Sequence, residues 1–197
     1  MNLKLSAFGL FLINIALLGC VELSPSSKNM AVSNINKHAI ITTAKMGEKC
    51  SIFNDDEFTE YPNCAFIQSD GSYIISSDLI EKLKFDSNGL APLFFSGFAY
   101  ARLDGYAIKV ATMDNFADYF SDGLVRANIL GRQGYADAEL NMVIPAIYDG
   151  TYPFHNGRAR VCIGCSLQHD GEHSFYAGGK DICLDIKGND RPLHECR

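Results

Sequence analysis

The chain is 197 residues long, with 17 basic and 23 acidic side chains and a formal charge of −6. That balance argues against nucleic acid as a partner, because such proteins carry a basic patch or stripe. Seventeen glycines, thirteen phenylalanines, nine tyrosines and no tryptophan favour β-structure, and the length fits one compact domain.

Lys4 precedes an apolar run from Leu5 to Leu18, which closes in Leu17-Leu18-Gly19-Cys20. A secretory apolar core takes ~7–15 residues, whereas a membrane-spanning helix needs ~20. The run therefore suits a cleaved export signal. Its end resembles the bacterial lipoprotein signal, with Leu17, Gly19 and Cys20 matching and Leu18 a less common choice. The resemblance implies that residues 1–19 are removed and that Cys20, lipidated and palmitate-bearing, becomes the N-terminus. One acyl chain holds a protein only reversibly, and two or more hold it durably. The other reading is an ordinary signal cleaved nearby, with Cys20 incidental. Val21 stands where Asp would retain an enteric lipoprotein in the inner membrane, so the resemblance points to the outer membrane, facing the periplasm. Loss of residues 1–19 removes one lysine and moves the formal charge from −6 to −7.

Residues 20–37 are polar and rich in Ser and Asn, with Pro25. They read as a flexible tether with a reach of ~20–25 Å. Residues 38–84 match no repeat and are expected to form an N-terminal cap. Within them a helix is predicted over 77–84, with Ser77 as cap and Leu79, Ile80 and Leu83 on one face.

The rest, 85–197, carries an internal period. Gly89, Gly123 and Gly157 are spaced by 34 residues in each interval. Each follows Asn or Asp, a pair suited to a tight turn with positive φ at glycine. Each is preceded by an aromatic residue, Phe85, Phe120 or Phe154, with Phe85 one residue out of step. Alternation after the turn predicts a strand. Ala91, Leu93, Val125, Ala127, Ala159 and Val161 would share its inner face, and Leu90, Leu124, Arg126, Arg158 and Arg160 its outer one. A second turn-then-strand recurs as Asp104-Gly105-Tyr106-Ala107 and Gln133-Gly134-Tyr135-Ala136. The latter runs on to Val143-Ile144-Pro145 and Tyr148-Asp149. The expected fold is all-β: stacked antiparallel β-meander or hairpin repeats of about 34 residues, solenoid- or propeller-like.

These residues resemble the WG-repeat (KWG) family of bacterial proteins. Its unit runs as aromatic-x-x-Gly-Leu-Ala-x-Val, then Trp-Gly-Tyr-Ile-Asp, then Val-Ile-Pro and Tyr-Asp. Gln133 to Asp137, Val143 to Pro145, Tyr148-Asp149 and Phe154 to Val161 are the clearest match. The signature Trp is replaced by Asp104, Gln133 and Asp181, and in the last copy the signature Gly is Ile182. The resemblance implies a scaffold or binding surface with no shared reaction, and a fold alone does not fix a function.

Six cysteines follow Cys20. In an exported chain an even number suggests disulfides. Six allow 15 connectivities, and the preferred set is local: Cys50–Cys64, Cys162–Cys165 and Cys183–Cys196. The first and third would staple the ends of the repeat stack, where units lack a neighbour. The competing chemistry is a metal site from Cys162, Cys165, His169 and His173, whose spacing approaches that of a zinc knuckle. A thioredoxin-like redox pair at Cys162 and Cys165 would need a βαβ context.

No Gly-x-Ser-x-Gly, His-Glu-x-x-His, P-loop or dinucleotide motif occurs in the sequence. Asp55-Asp56-Glu57 reads as a solvated loop. Asp114, Asp118 and Asp122 read as turn residues, as does His155. Arg126, Arg158 and Arg160 form an exposed strand face that would meet anionic lipid or glycan if it met anything. The expectation is a non-enzymatic, cofactor-free binding protein of the cell envelope, held to the membrane by lipid, with an envelope protein or polysaccharide as partner. The alternatives are a metal or thiol-redox module at Cys162 and Cys165, or an envelope hydrolase with an unrecognised site.

Overall fold

The computed structural model describes residues 46–54, 57–171 and 173–196. The expected export signal 1–19, the expected lipidation site Cys20, the expected tether 20–37 and the first residues of the segment 38–84 lie outside the described residues. The opening elements are β1 (Glu48–Asn54), β2 (Glu57–Ile67), β3 (Tyr73–Ile75) and α1 (Ser77–Ile80). Next come β4 (Leu90–Phe94), β5 (Phe98–Arg102), β6 (Tyr106–Val110), β7 (Thr112–Met113) and β8 (Phe116–Ala117). Then follow β9 (Val125–Ile129), β10 (Arg132–Ala136), β11 (Met142–Tyr148) and β12 (Gly150–Thr151). The last are β13 (Arg158–Ile163), β14 (Ser166–Asp170), β15 (His173–Ala177), β16 (Lys180–Asp185), β17 (Asp190–Arg191) and a 3-10 turn, Leu193–Cys196.

The fold is all-β, and its unit is a meander of three antiparallel strands. β4-β5-β6 and β9-β10-β11 are two such units. β13-β16-β17 is another, with the β14–β15 hairpin inserted between its first and second strands. β1-β2-β3 has the same topology. Its turn also matches. Gln68 N–H donates to Ser72 O (2.8 Å) and Gly71 N–H to Gln68 O (3.1 Å). Asp137 N–H donates to Asn141 O and Leu140 N–H to Asp137 O, both at 3.0 Å. Asp185 N–H donates to Asn189 O (3.0 Å) and Gly188 N–H to Asp185 O (2.8 Å). The equivalent turn in β4-β5-β6 starts at Arg102, where Gly105 N–H donates to its carbonyl at 3.0 Å. Gln68 precedes Arg102 by 34 residues, the interval of the glycines. The described part of 38–84 thus shares the meander and the turn of the later units.

Counting back from these turns corrects one expectation. Asp104-Gly105-Tyr106 opens the third strand of its unit, β6, whereas Gln133-Gly134-Tyr135 lies in the second strand, β10. The true counterpart of Gln133 to Ala136 is Phe98 to Ala101 in β5. The side chains agree. Tyr100 Oη donates to Asp118 O (2.9 Å), and Tyr135 Oη to Tyr152 O (2.7 Å). In each copy the accepting carbonyl lies two residues before a phenylalanine that meets the tyrosine ring, Phe120 at 5.7 Å and Phe154 at 4.7 Å.

The first two units close on each other. β6 pairs with β5 along one edge, and along the other with β3 and then with β9. The ring β6-β3-β2-β1-β4-β5 returns to β6, and β9, β10 and β11 continue the sheet outward from it. A six-strand ring is narrow. Its core accordingly uses Ala65, Ala99, Ala101 and Ala107 beside Ile52, Ile75, Leu93 and Phe95.

Three successive cores explain why both faces of the repeat strands are buried. Ala99 and Ala101 enter the first core, whereas Phe98 and Tyr100 pack against the second. Val125, Ala127 and Ala136 fill the second, and Leu124 and Tyr135 the third. Ala159, Val161 and Leu184 complete the third. Leu90 and Leu124, expected on an outer face, are 1% and 7% exposed. The reason is that each outer face is covered by the next unit.

The helix is a single turn, shorter than the 77–84 expected. Ser76, not Ser77, is its N-cap, with extended φ and ψ of −61° and 143°. Leu79 is buried, and Ile80 and Leu83 pack partly against the first core.

Candidate functional site

The expected arginine face is divided by the fold. Arg126 is withdrawn from it into an ion pair with Asp118, their side chains being 11% and 2% exposed. Nε and Nη2 of Arg126 donate to the two carboxylate oxygens at 2.9 and 2.7 Å, and its backbone N–H donates to Oδ2 at 3.1 Å. Such a bidentate, charge-assisted pair fixes geometry as well as charge. Asp118 is therefore no turn residue. Asp114 and Asp122 are, with φ of 48° and 52°. Asp122 Oδ2 also accepts from Gly157 N–H (2.7 Å), tying one repeat turn to the next.

A polar seam continues this link between units. Gln133 Oε1 accepts from the backbone N–H and the hydroxyl of Thr151 at 3.0 and 2.7 Å, and Gln133 Nε2 donates to Tyr176 Oη at 2.7 Å. The residue standing for the signature Trp thus works as a hydrogen-bonding hub. Burial, reinforced by the carboxylates of Asp118 and Asp86, pushes the Tyr100 phenol up to about 12. Burial drives the Tyr135 phenol upward as well. Both rings stay neutral donors, which suits bonds to buried carbonyls.

The cysteines stand as three local pairs, Cys50–Cys64, Cys162–Cys165 and Cys183–Cys196. Cys162 is wholly buried in β13 and Cys165 precedes β14, so a strand and not a helix follows the motif. That lacks the helix N-terminus a thioredoxin-like pair uses to lower its thiol. His169 and His173 lie on the exposed β14–β15 hairpin, and His169 Nδ1 is 2.9 Å from Ser174 Oγ. Among the described residues no three His, Cys, Asp or Glu side chains gather as metal ligands. The expected set of Cys162, Cys165, His169 and His173 is therefore not brought together. The sulfurs bond each other, and the hairpin carries both imidazoles away along its length.

Two surfaces remain. The first is apolar and was not anticipated. Phe53 and Phe58 face each other across β1 and β2, with centroids 5.0 Å apart, and Phe94 and Phe98 across β4 and β5, 5.2 Å apart. Phe116 of β8 meets Phe98 at 5.3 Å. β1 pairs with β4 at Ser51↔Phe94, which sets the two ring pairs side by side. Phe53, Phe58 and Phe94 are 50%, 65% and 40% exposed. The signal was in the sequence: Phe94 alternates with the inward Leu93, and Phe53 with the inward Ile52. The second surface is a cleft of about 330 Å³ at the turn leading into β13, lined by Tyr152, His155, Arg158, Arg160 and Glu195 among others. His155 has the expected turn role, its backbone exchanging hydrogen bonds with Arg158 at 2.8 and 3.1 Å. Of the acidic run, Glu57 opens β2 and is exposed, and Asp55 and Asp56 lie outside the described residues.

Repeated meanders with shared cores and two open surfaces define an all-β repeat protein. Within it, residues 134–164 match the family model described as WG containing repeat. The match starts at the signature glycine of β10 and runs through β11 and β12 to the end of β13, so it spans two strands of one unit and the first of the next. Gly134 shows why that position is glycine. A Cβ there would lie 2.4 Å from Ile144 O and 2.7 Å from the carbonyl of Pro145. No curated protein and no solved structure matches the chain.

Proposed function

We propose that this chain is a lipid-anchored, non-enzymatic binding protein of the bacterial envelope, whose repeat-built body presents an apolar surface to a partner protein. The observation that carries the binding role is the set of phenylalanines on β1, β2, β4, β5 and β8. Monomeric proteins seldom leave large rings clustered in water, and contiguous exposed apolar surface marks interaction sites. Phenylalanine offers no hydrogen bond, so the favoured occupant is an apolar protein segment and not a hydroxyl-rich glycan. In the sequence Phe53 and Phe58 flank the acidic stretch Asn54-Asp55-Asp56-Glu57, so the complementary segment carries Lys or Arg beside its apolar side chains. Export and anchoring rest on residues 4–20 and on the resemblance they carry.

The test uses the full-length chain in bacterial cells, with a photo-crosslinking amino acid at position 58, at position 94 or at Tyr119, which is 56% exposed and outside the apolar cluster. Discrete adducts from 58 and 94, lost when the exposed Phe53 is changed to Ser, are expected. Equal labelling from all three positions, or none from 58 and 94, refutes the assignment. Labelled palmitate on the wild type and none on Cys20→Ser checks the anchor separately.

A further inference from the structure

The cleft beside the 3-10 turn has a chemistry unlike that of the phenylalanine surface. Arg158 and Arg160 are two residues apart on β13 and so project from the same face of the strand. The Arg160 guanidinium lies over the Tyr152 ring, 4.2 Å from its centroid. Tyr152 is in turn braced by Tyr176, edge-on at 5.8 Å. The Arg160 guanidinium is therefore held against a braced ring. Its nearest carboxylate, Asp181, is 3.9 Å away, beyond hydrogen-bond reach. Among the described residues no oxygen accepts a hydrogen bond from the Arg160 guanidinium. Arg158 differs: its Nε donates to Glu195 Oε2 at 2.7 Å and its Nη1 to Gly157 O at 2.9 Å. The cleft thus already holds one carboxylate on one guanidinium, and a second, oriented guanidinium stands open beside it.

We propose that this cleft binds the carboxylate of an acidic sugar, with Arg160 as its principal partner and Glu195 as an internal competitor at Arg158. A planar guanidinium fork matches a carboxylate bidentately. The choice of sugar over acidic peptide comes from the backbone of the cleft wall, whose hydrogen bonds are already used. Tyr152 N–H donates to Arg160 O at 2.9 Å, and His155 and Arg158 exchange both of theirs. An extended peptide would find no ladder to join here, whereas peptide strands gain affinity from such ladders. What the cleft offers is side chains: two guanidiniums, the His155 imidazole, the Asn156 amide and the Pro153 ring. Those suit a ring that carries hydroxyls and one carboxylate. This inference does not depend on the phenylalanine surface.

The experiment is calorimetric or NMR titration of the full chain, disulfides intact, with a galacturonate trimer at low and at 150 mM salt. The wild type is expected to bind saturably, and the uncharged methyl ester of the trimer at least tenfold more weakly. Arg160→Gln should lose tenfold or more, while Glu195→Gln should tighten binding threefold or more by freeing Arg158. Glu195→Gln alters no core residue, so it reads out even if the arginine variant folds poorly. Equal affinity for the ester, or no response to either variant, overturns the proposal. Inorganic phosphate or a triglutamate peptide binding as tightly as the trimer also overturns it, leaving a general oxyanion site or an acidic-peptide site respectively.

Discussion

Arg126→Met is the most incisive perturbation of this fold. The guanidinium occupies the junction between β4-β5-β6 and β9-β10-β11, and it is the main neutraliser of an Asp118 carboxylate that is 2% exposed. Removing it would leave that carboxylate with the Arg126 backbone N–H alone, at 3.1 Å. Breaking a buried pair from one side costs about 3–5 kcal/mol, because the remaining charge is uncompensated. A domain of this size has a total stability of roughly 5–15 kcal/mol, so the variant should unfold at a much lower urea midpoint with an unchanged slope. Asp118→Leu combined with Arg126→Met removes both charges. That double variant should recover most of the loss, since apolar replacement of a buried pair is often close to neutral. The double-mutant cycle should accordingly report a coupling of at least about 2 kcal/mol. A loss under about 1 kcal/mol for Arg126→Met would make the pair energetically equivalent to an exposed one. That result, or a coupling near zero, would refute the claim that the junction is buried and paired.

Three further outcomes follow from the same geometry. Gly134→Ala should destabilise by about 1–3 kcal/mol through overpacking against the Ile144–Pro145 backbone, and more than Gly123→Ala, whose Cβ meets nothing within 4 Å but whose φ is +80°; paired thermal melts compare them. Maleimide should label none of the six cysteines after Cys20 without reductant, peptide mapping should return the three local pairs, and Cys50→Ser with Cys64→Ser should cost about 3 kcal/mol if loop closure dominates. The Asp185 carboxyl is held well below the usual carboxylate range by the backbone amide of Asn189 first, then by the Asn189 side chain, with Arg191 and the Lys187 amide adding to it. Its folded value lies below its unfolded value, so its stabilising share is present above the ordinary 3.8 and fades as pH falls beneath it. Asp185→Asn should flatten the acid limb of a pH–stability curve below about pH 4, measured by urea unfolding, and an unchanged limb would contradict it.

The parts of the architecture visible in the sequence were those encoded locally. A glycine after Asn or Asp announces a turn, and alternation announces the strand that follows, so Gly123 and Gly157 with their inner residues Val125, Ala127, Ala159 and Val161 were legible. The unit β1-β2-β3 was not, because no Asn-Gly or Asp-Gly pair precedes it in the sequence and its second strand offers Cys64-Ala65-Phe66 where the best copy has Gln133-Gly134-Tyr135. The register error at Asp104-Gly105-Tyr106 has a related cause. A Gly-Tyr pair looks alike whether glycine permits close packing, as at Gly134, or a positive φ of 86°, as at Gly105. Arg126 misled for a different reason. Its outward phase on the strand was right, but outward here means toward the next unit, and no single-strand pattern tells solvent from a neighbouring repeat.

The same two-sidedness explains how the ends are finished. Each unit receives a core on the face of Ala99, Ala136 or Leu184 and starts the next with a ring, Tyr100 or Tyr135. A chain built this way has an unfilled face at its last unit and a free sheet edge at its first. At the first, β1 to β6 close into a ring, which removes the edge that would otherwise pair with another chain. In β13-β16-β17 the position of Tyr100 and Tyr135 is taken by Cys183, whose partner Cys196 draws the 3-10 turn against β16 and β13. That turn also carries Glu195 to Arg158. The residue that closes the fold and the residue proposed to compete in the cleft are thus neighbours on one four-residue element. Cutting the Cys183–Cys196 bond should therefore loosen Glu195 from Arg158 and raise affinity for the galacturonate trimer, as Glu195→Gln does. A chain with that bond cut but with unchanged trimer affinity would separate the end closure from the cleft.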